Sequence, residues 1–191
     1  MALTTIDPVT ALVVIDLQKG IIAAHSDAAT EAAVERSTRL AAAFRRQDRP
    51  VVLVTVTGRP PGRTDGGRSG APVVLPPGWA ELIDELDVRP TDHLITKRRR
   101  SAFHDTGLDT LLRDLGVTQV VLTGISTSSG VESTARSASD HGYHVVVATD
   151  AVTDPDAEAH RHSVQRVFPK LGETATTNDI IDMIDMIEAT R

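Results

Sequence analysis

Residues 11–15, Ala11-Leu12-Val13-Val14-Ile15, are apolar at every position rather than at every second one. A strand with one face in water alternates apolar and polar side chains. An unbroken run asks for cover on both faces, which is the situation of a parallel sheet between helices. The same texture returns at residues 51–56, 117–123 and 143–149, with shorter runs at 93–96 and, as an edge strand, 173–176. Between them lie stretches of helical spacing. Residues 27–47 place Ala32, Ala33, Leu40, Ala41 and Phe44 on one face; further helices are expected at 79–86, 106–115 and 154–167. Another runs from Ser129 to His141, and a last one, capped by Asn178, shows Ile180, Ile181, Ile184 and Ile187 as its apolar face. Gly116 and Gly142 stop two of these helices. Strands alternating with helices in this way specify a three-layer α/β/α sandwich, Rossmann-like, with a six-stranded, mostly parallel sheet. No repeat, low-complexity tract or linker divides the 191 residues, so a single domain spanning 1–191 is expected.

In such a sheet the carboxyl ends of the strands share one edge, and ligands bind there. Three chemistry-bearing features fall on that edge. Asp16 follows the first run directly, with Gln18 two residues on. Lys97 ends the run at 93–96. The fourth run leads into Gly124-Ile125-Ser126-Thr127-Ser128-Ser129-Gly130-Val131-Glu132, a strand-to-helix junction. Ser129 and Glu132 stand three apart, the spacing of a capping box. The first-turn N–H groups of a helix lack partners, so this junction suits an anion or a developing oxyanion. Gly130 leaves room for a ligand to approach. An acid, an amine and a set of backbone donors make a usable catalytic set. Blander readings are a helix cap for Asp16 and tight strand–helix packing for Gly130.

The long 58–78 loop carries Arg59, Arg63 and Arg68, which suit a carboxylate clamp or serve as solvated loop charge. Arg98, Arg99 and Arg100 read as surface pairs or contacts to another subunit. His160 and His162 lie two apart, on different helix faces, and do not form a metal-binding pair.

Composition removes several function classes. Aromatic residues are 3% of the chain, too few for a base-stacking platform, and the net charge of −6 opposes nucleic acid and anionic membrane. No apolar run approaches the roughly 20 residues of a membrane span. Residues 1–8 lack a signal-peptide pattern, so a cytoplasmic location is expected. The chain has no cysteine, which removes disulfides, thiolate ligands and a cysteine nucleophile together.

Leu12-Val13-Val14-Ile15-Asp16-Leu17-Gln18, then Lys97-Arg98 with Ser101-Ala102-Phe103, then Gly124-Ile125-Ser126-Thr127 through Ser133-Thr134-Ala135-Arg136 together resemble the isochorismatase-like hydrolase superfamily. The motifs stand in the family's order and spacing, and the resemblance runs from about Ala11 to Pro169. It implies a six-stranded parallel sheet flanked by helices and a homodimer or larger homo-oligomer. Most such proteins are amidohydrolases with an Asp, Lys and Cys triad. Asp16 and Lys97 fall on the first two positions; the third, six residues after Gly124, is Gly130.

A glycine there resembles the true isochorismatases, which cleave a vinyl ether to pyruvate and a dihydroxy acid without a covalent nucleophile. Vinyl ether hydrolysis is limited by protonation of carbon and needs a placed acid, here Asp16, and a cation for the carboxylates, here Lys97. Desolvation raises a buried carboxyl pKa while a neighbouring ammonium lowers it. Around Gly130 the isochorismatases carry aromatic and His residues and a following Cys, where this chain reads Ser128-Ser129-Gly130-Val131. The resemblance therefore assigns the family and not the substrate. The loop after the second strand lacks the Asp-x-His…His pattern of metal-binding relatives, and no metal or other cofactor is expected. Asp16, Lys97 and Gly130 are thus the candidate catalytic positions. Gln18, Ser129, Arg59 and Arg63 are the candidate contacts to a small-molecule carboxylate. The alternatives are an amidohydrolase using Ser128 or Ser129, or a non-catalytic small-molecule-binding protein.

Overall fold

The computed structural model describes residues 3–65 and 74–189; Arg68 lies outside them. In chain order the elements are β1 (Thr10–Ile15), α1 (Lys19–Ile22), α2 (Ala28–Arg46), β2 (Val51–Val56), β3 (His93–Lys97), α3 (Leu108–Asp114), β4 (Gln119–Ile125), α4 (Glu132–Asp140), β5 (His144–Thr153), α5 (Ala157–His162), α6 (Phe168–Leu171), β6 (Glu173–Ala175) and α7 (Thr177–Ala189). All six strands pair in parallel in the order β3-β2-β1-β4-β5-β6. The chain starts in the middle of the sheet, builds outward to β3, then returns across β1 to lay down β4. A crevice opens where the direction reverses, and the register sets Ile15 beside both Val54 and Gly124 at its floor.

The unbroken apolar runs are explained by the two helical layers. Leu12 and Val14 of β1 pack with Leu40, Ala41 and Phe44 of α2 and with Ile180 and Ile184 of α7. Ala11, Val13 and Ile15 face the other way, toward Leu108 and Leu112 of α3, Ala135 and Ala138 of α4 and Phe168 of α6. Successive strand residues point to opposite faces, so both parities must be apolar. Each fully buried Leu or Phe in these layers contributes about 1.5–3 kcal/mol.

Three local expectations are corrected. Residues 79–86 are not an α-helix but a turn through Trp79 followed by a short 3₁₀ turn at Asp84–Leu86. Their backbone groups are engaged elsewhere: Lys19 N–H donates to Glu81 O, Gly20 N–H to Trp79 O, and Ile83 N–H to Leu17 O. A Cβ on Gly20 would lie about 2.0 Å from the Trp79 ring, so only glycine permits this docking of α1. The 154–167 segment is divided, with α5 capped by Asp156, a π turn at Ser163–Val167, and then α6. The cap of α7 is Thr176 rather than Asn178. Thr176 Oγ1 accepts from Asp179 N–H at 3.2 Å while Asp179 Oδ2 accepts from Thr176 N–H at 2.9 Å. Asn178 Oδ1 instead accepts from Arg39 at 2.8 Å.

Candidate active site

Asp16 follows β1 directly and lies in the left-handed region, with φ of 56°. Such a conformation in a non-glycine residue costs about 1–3 kcal/mol and is typical of functional positions. Lys97 is the last residue of β3, and its Nζ reaches back over β2 to donate to Asp16 Oδ2 at 2.7 Å and to Arg100 O at 3.0 Å. Both side chains are buried, at 4% and 2% exposure for the two residues. Asp16 Oδ1 has no hydrogen-bond partner among the described residues although it is also buried. Burial raises the Asp16 carboxyl from its ordinary 3.8 to about 6, with the Lys97 charge and hydrogen bond only partly opposing it. Desolvation is thus the larger of the two opposed influences that the motif order suggested.

Gly130 sits on the far side of the crevice. It belongs to a π turn, Thr127–Val131, that joins β4 to α4. The entry to this turn needs a glycine: Gly124 has φ of 116°, and a Cβ there would lie 2.0 Å from Ile15 O. The Ile125–Ser126 peptide that follows is cis. A Cβ built on Gly130 would stand 3.1 Å from Asp16 Oδ2 and 3.4 Å from Lys97 Nζ. Gly130 therefore lies directly against the ion pair, and its missing side chain is what keeps the space above the pair open. Thr134 Oγ1 donates to Gly130 O at 2.7 Å and accepts from Ala102 N–H at 3.0 Å, which ties this turn to the segment after β3.

Ser129 is not the helix cap that its spacing to Glu132 suggests. The helical turn begins earlier, at Thr127, so Ser129 lies inside it and its N–H donates to Ser126 O at 3.1 Å. Glu132 is used on Arg136 at 2.9 Å and on Ser163 Oγ at 2.6 Å. The turn is anchored instead by Ser128, whose N–H and Oγ donate to Asp154 Oδ2 at 2.8 and 2.7 Å. Thr127 Oγ1 and His160 Nδ1, 2.9 Å apart, hold it from the other side.

Asp16, Lys97 and Gly130 form one end of a pocket of about 290 Å³. Ile21, Val56 and Ile125 supply apolar wall, Ser126 and Ser129 supply hydroxyls, and Arg59, Arg99 and Arg100 surround it with positive charge. The volume is near the lower limit of ordinary ligand pockets, roughly 300 Å³, and suits a small molecule. With one carboxyl group against four cationic side chains, the pocket favours an anion. Arg63 is exposed and does not line it. Gln18 is a correction of a different kind. Its side-chain amide is fully engaged: Oε1 accepts from Val56 N–H at 2.7 Å, and Nε2 donates to Val56 O at 3.1 Å and Trp79 O at 3.3 Å. It staples β1 to β2 and to the Trp79 turn, so it has nothing left for a ligand.

Arg99, Arg100 and His25 line the pocket although sequence patterning did not single them out for it. The two arginines looked like surface charge because a basic run carries no direction. His25 lies three residues past α1 in a stretch with no periodicity to orient it. Its nearness to the strand-end Asp16 in sequence was the available signal. Among the described residues, no three His, Cys, Asp or Glu side chains stand close enough to share a metal ion, and no helix is long and apolar enough to cross a membrane.

The isochorismatase domain model matches residues 10–179. The chain is 35% identical over 180 residues to the uncharacterized isochorismatase family protein YwoC of Bacillus subtilis, covering 92% of this chain and 94% of that one. It is 30% identical over 159 residues to the maleamate amidohydrolase of Pseudomonas putida, covering 80% and 75% respectively. Among solved structures, an isochorismatase family protein from Burkholderia thailandensis superposes with a TM-score of 0.87 at 38% identity, over 95% of this chain and 98% of the other.

Proposed function

Because the chain belongs to the isochorismatase family of hydrolases, we propose that it hydrolyses a vinyl ether of a small carboxylate by acid catalysis, without a covalent nucleophile. The observation that carries this reading is the Asp16 carboxyl. It is buried, held on one oxygen by Lys97, unpartnered on the other, raised to about 6, and faced by the open side of Gly130. At pH 7 about a tenth of such groups carry the proton, and the fraction grows as pH falls. The Asp16 carboxyl is the donor; the terminal vinyl carbon takes the proton, leaving an oxocarbenium ion that water attacks. Lys97 fixes the carboxyl and stabilises the carboxylate that remains after transfer. Gly130 occupies the family's nucleophile position and leaves room there for the enolpyruvyl group. Arg59, Arg99 and Arg100 take the carboxylates of the substrate, and Ser129 offers a hydroxyl at the same wall. The small anion binds in the cytoplasm, to a homodimer or larger homo-oligomer, which sedimentation velocity tests.

The experiment is product analysis with isochorismate. Release of pyruvate and a dihydroxy acid is expected. Ammonia from a small amide acid, with no pyruvate from isochorismate, overturns the proposal.

The amidohydrolase among the relatives favours a second reading, amide hydrolysis. With no cysteine in the chain, the nucleophile would be the Ser129 hydroxyl in the same pocket. An acyl adduct on Ser129, found by mass spectrometry after incubation with an activated amide, supports it; an unmodified Ser129 removes it.

A further inference from the structure

We propose that His25 is the general base that activates the attacking water in this pocket, an inference that rests on the vinyl ether reading above. His25 lines the same cavity as Asp16. Its Nδ1 lies 2.8 Å from Ile21 O. A carbonyl oxygen only accepts, so Nδ1 carries the hydrogen, and in the neutral ring Nε2 carries the lone pair. Nε2 makes no hydrogen bond among the described residues. The ring is thus fixed in one tautomer by its own backbone, one helical turn away, and keeps a base free. Trp79 helps to hold that backbone, since Gly20 N–H donates to Trp79 O at 2.9 Å and leaves no room for a side chain.

The cationic lining groups cannot do this work. Lys97, Arg59, Arg99 and Arg100 are cations with no acceptor. The carboxylate that Asp16 becomes in the first step is used on the hemiketal hydroxyl in the last, which leaves the water to His25. The steps then balance as follows. The Asp16 carboxyl gives its proton to the vinyl CH₂ carbon, and the π electrons form that C–H bond. Water bonds to the resulting oxocarbenium carbon as His25 Nε2 removes one of its protons, giving a hemiketal. The Asp16 carboxylate takes the hemiketal hydroxyl proton, the carbonyl forms, and the C–O bond to the leaving alcohol breaks. That oxygen takes the proton from His25. Both side chains return to their starting states, and the sum is substrate plus water to alcohol plus pyruvate.

The test is pyruvate release from isochorismate by the wild type, His25→Asn and His25→Ala. An asparagine amide nitrogen lies near the place of Nδ1 and can still donate to Ile21 O, so this variant keeps the local structure and removes only the base. Without the base the attack of water becomes the slow step, and kcat is expected to fall about 100-fold or more, the usual worth of a positioned acid–base group. Added imidazole is expected to restore part of the kcat of His25→Ala and none of Asp16→Asn. Wild-type turnover with an unchanged kcat in His25→Asn overturns the role of His25 alone. A rise in KM at constant kcat, or no imidazole rescue in a His25→Ala protein that melts as the wild type does, also overturns it. A wild type that releases no pyruvate overturns the vinyl ether reading and the role of His25 with it.

Discussion

The raised Asp16 carboxyl has a consequence for stability that needs no substrate. The folded protein takes up the Asp16 proton at about pH 6, the unfolded chain near the ordinary 3.8. Between these values the folded state binds more protons than the unfolded one, so stability falls as pH rises. The contribution is fully present below 3.8 and is lost as pH climbs through about 6. At 1.36 kcal/mol per pH unit, the displacement from 3.8 to about 6 amounts to about 3 kcal/mol. Asp27, Asp109 and Asp179 are shifted downward, chiefly by the hydrogen bonds they accept from Thr30, Tyr143 and Thr176. Their contributions have the opposite sign, lie at lower pH, and are shared by any variant that leaves them alone. Urea unfolding of the wild type and of Asp16→Asn from pH 3.5 to 7, followed by circular dichroism, isolates the Asp16 contribution by difference. The wild type is expected to lose about 3 kcal/mol relative to Asp16→Asn over that range, mostly between pH 4 and 6. A flat difference, or one that grows with pH, would show that the Lys97 charge outweighs desolvation and refute the reasoning.

Other substitutions test single contacts. Gly124→Ala places a Cβ 2.0 Å from Ile15 O at a φ of 116°; a loss of more than about 4 kcal/mol is expected in urea titration, or no soluble protein. Gln18→Leu strands the Val56 N–H and C=O, at a cost of about 2–3 kcal/mol, and frees the Trp79 turn. Trp79 is the sole tryptophan, so a red shift of its emission reports the change. Gly130→Ala sets a methyl 3.1 Å from Asp16 Oδ2. Stability is expected to stay within about 1 kcal/mol, as helix propensity offsets crowding, while kcat/KM for isochorismate falls at least about tenfold, as measured by pyruvate release.

Much of this architecture is legible from residue pattern. Both-parity apolar runs at β1, β2 and β4 require a sheet covered on two faces, and a right-handed parallel arrangement then brings the strand ends to one edge. Asp16, Lys97 and Gly130 converge for that reason alone, although 81 residues separate the first two. The family resemblance rests on the same three segments and stands. What pattern does not carry is the use made of a group once the chain is folded. Gln18 sits two residues from Asp16, yet its amide turns to the backbone of β2 and the Trp79 turn. Ser129 has cap spacing, but the π turn starts at Thr127 and takes Ser129 into the pocket wall. Residues 79–86 have helical periodicity, but their N–H and C=O groups pair with residues 17–20. For Gln18 and for residues 79–86 a tertiary hydrogen bond won over a local one. Arg99 and Arg100 show the converse, since nothing in their neighbourhoods marks them as pocket-facing.

The most direct measurement for Asp16 as the proton donor is kcat/KM for pyruvate release from isochorismate between pH 5 and 8, in the wild type and in Lys97→Met. In the wild type kcat/KM is expected to fall tenfold per pH unit above about 6, as the carboxyl gives up its proton to solvent. Lys97→Met removes the charge that holds the carboxyl down, so its alkaline limb is expected to begin at higher pH. A wild-type rate that rises with pH across this range, or a limb that Lys97→Met leaves in place, contradicts acid catalysis by Asp16.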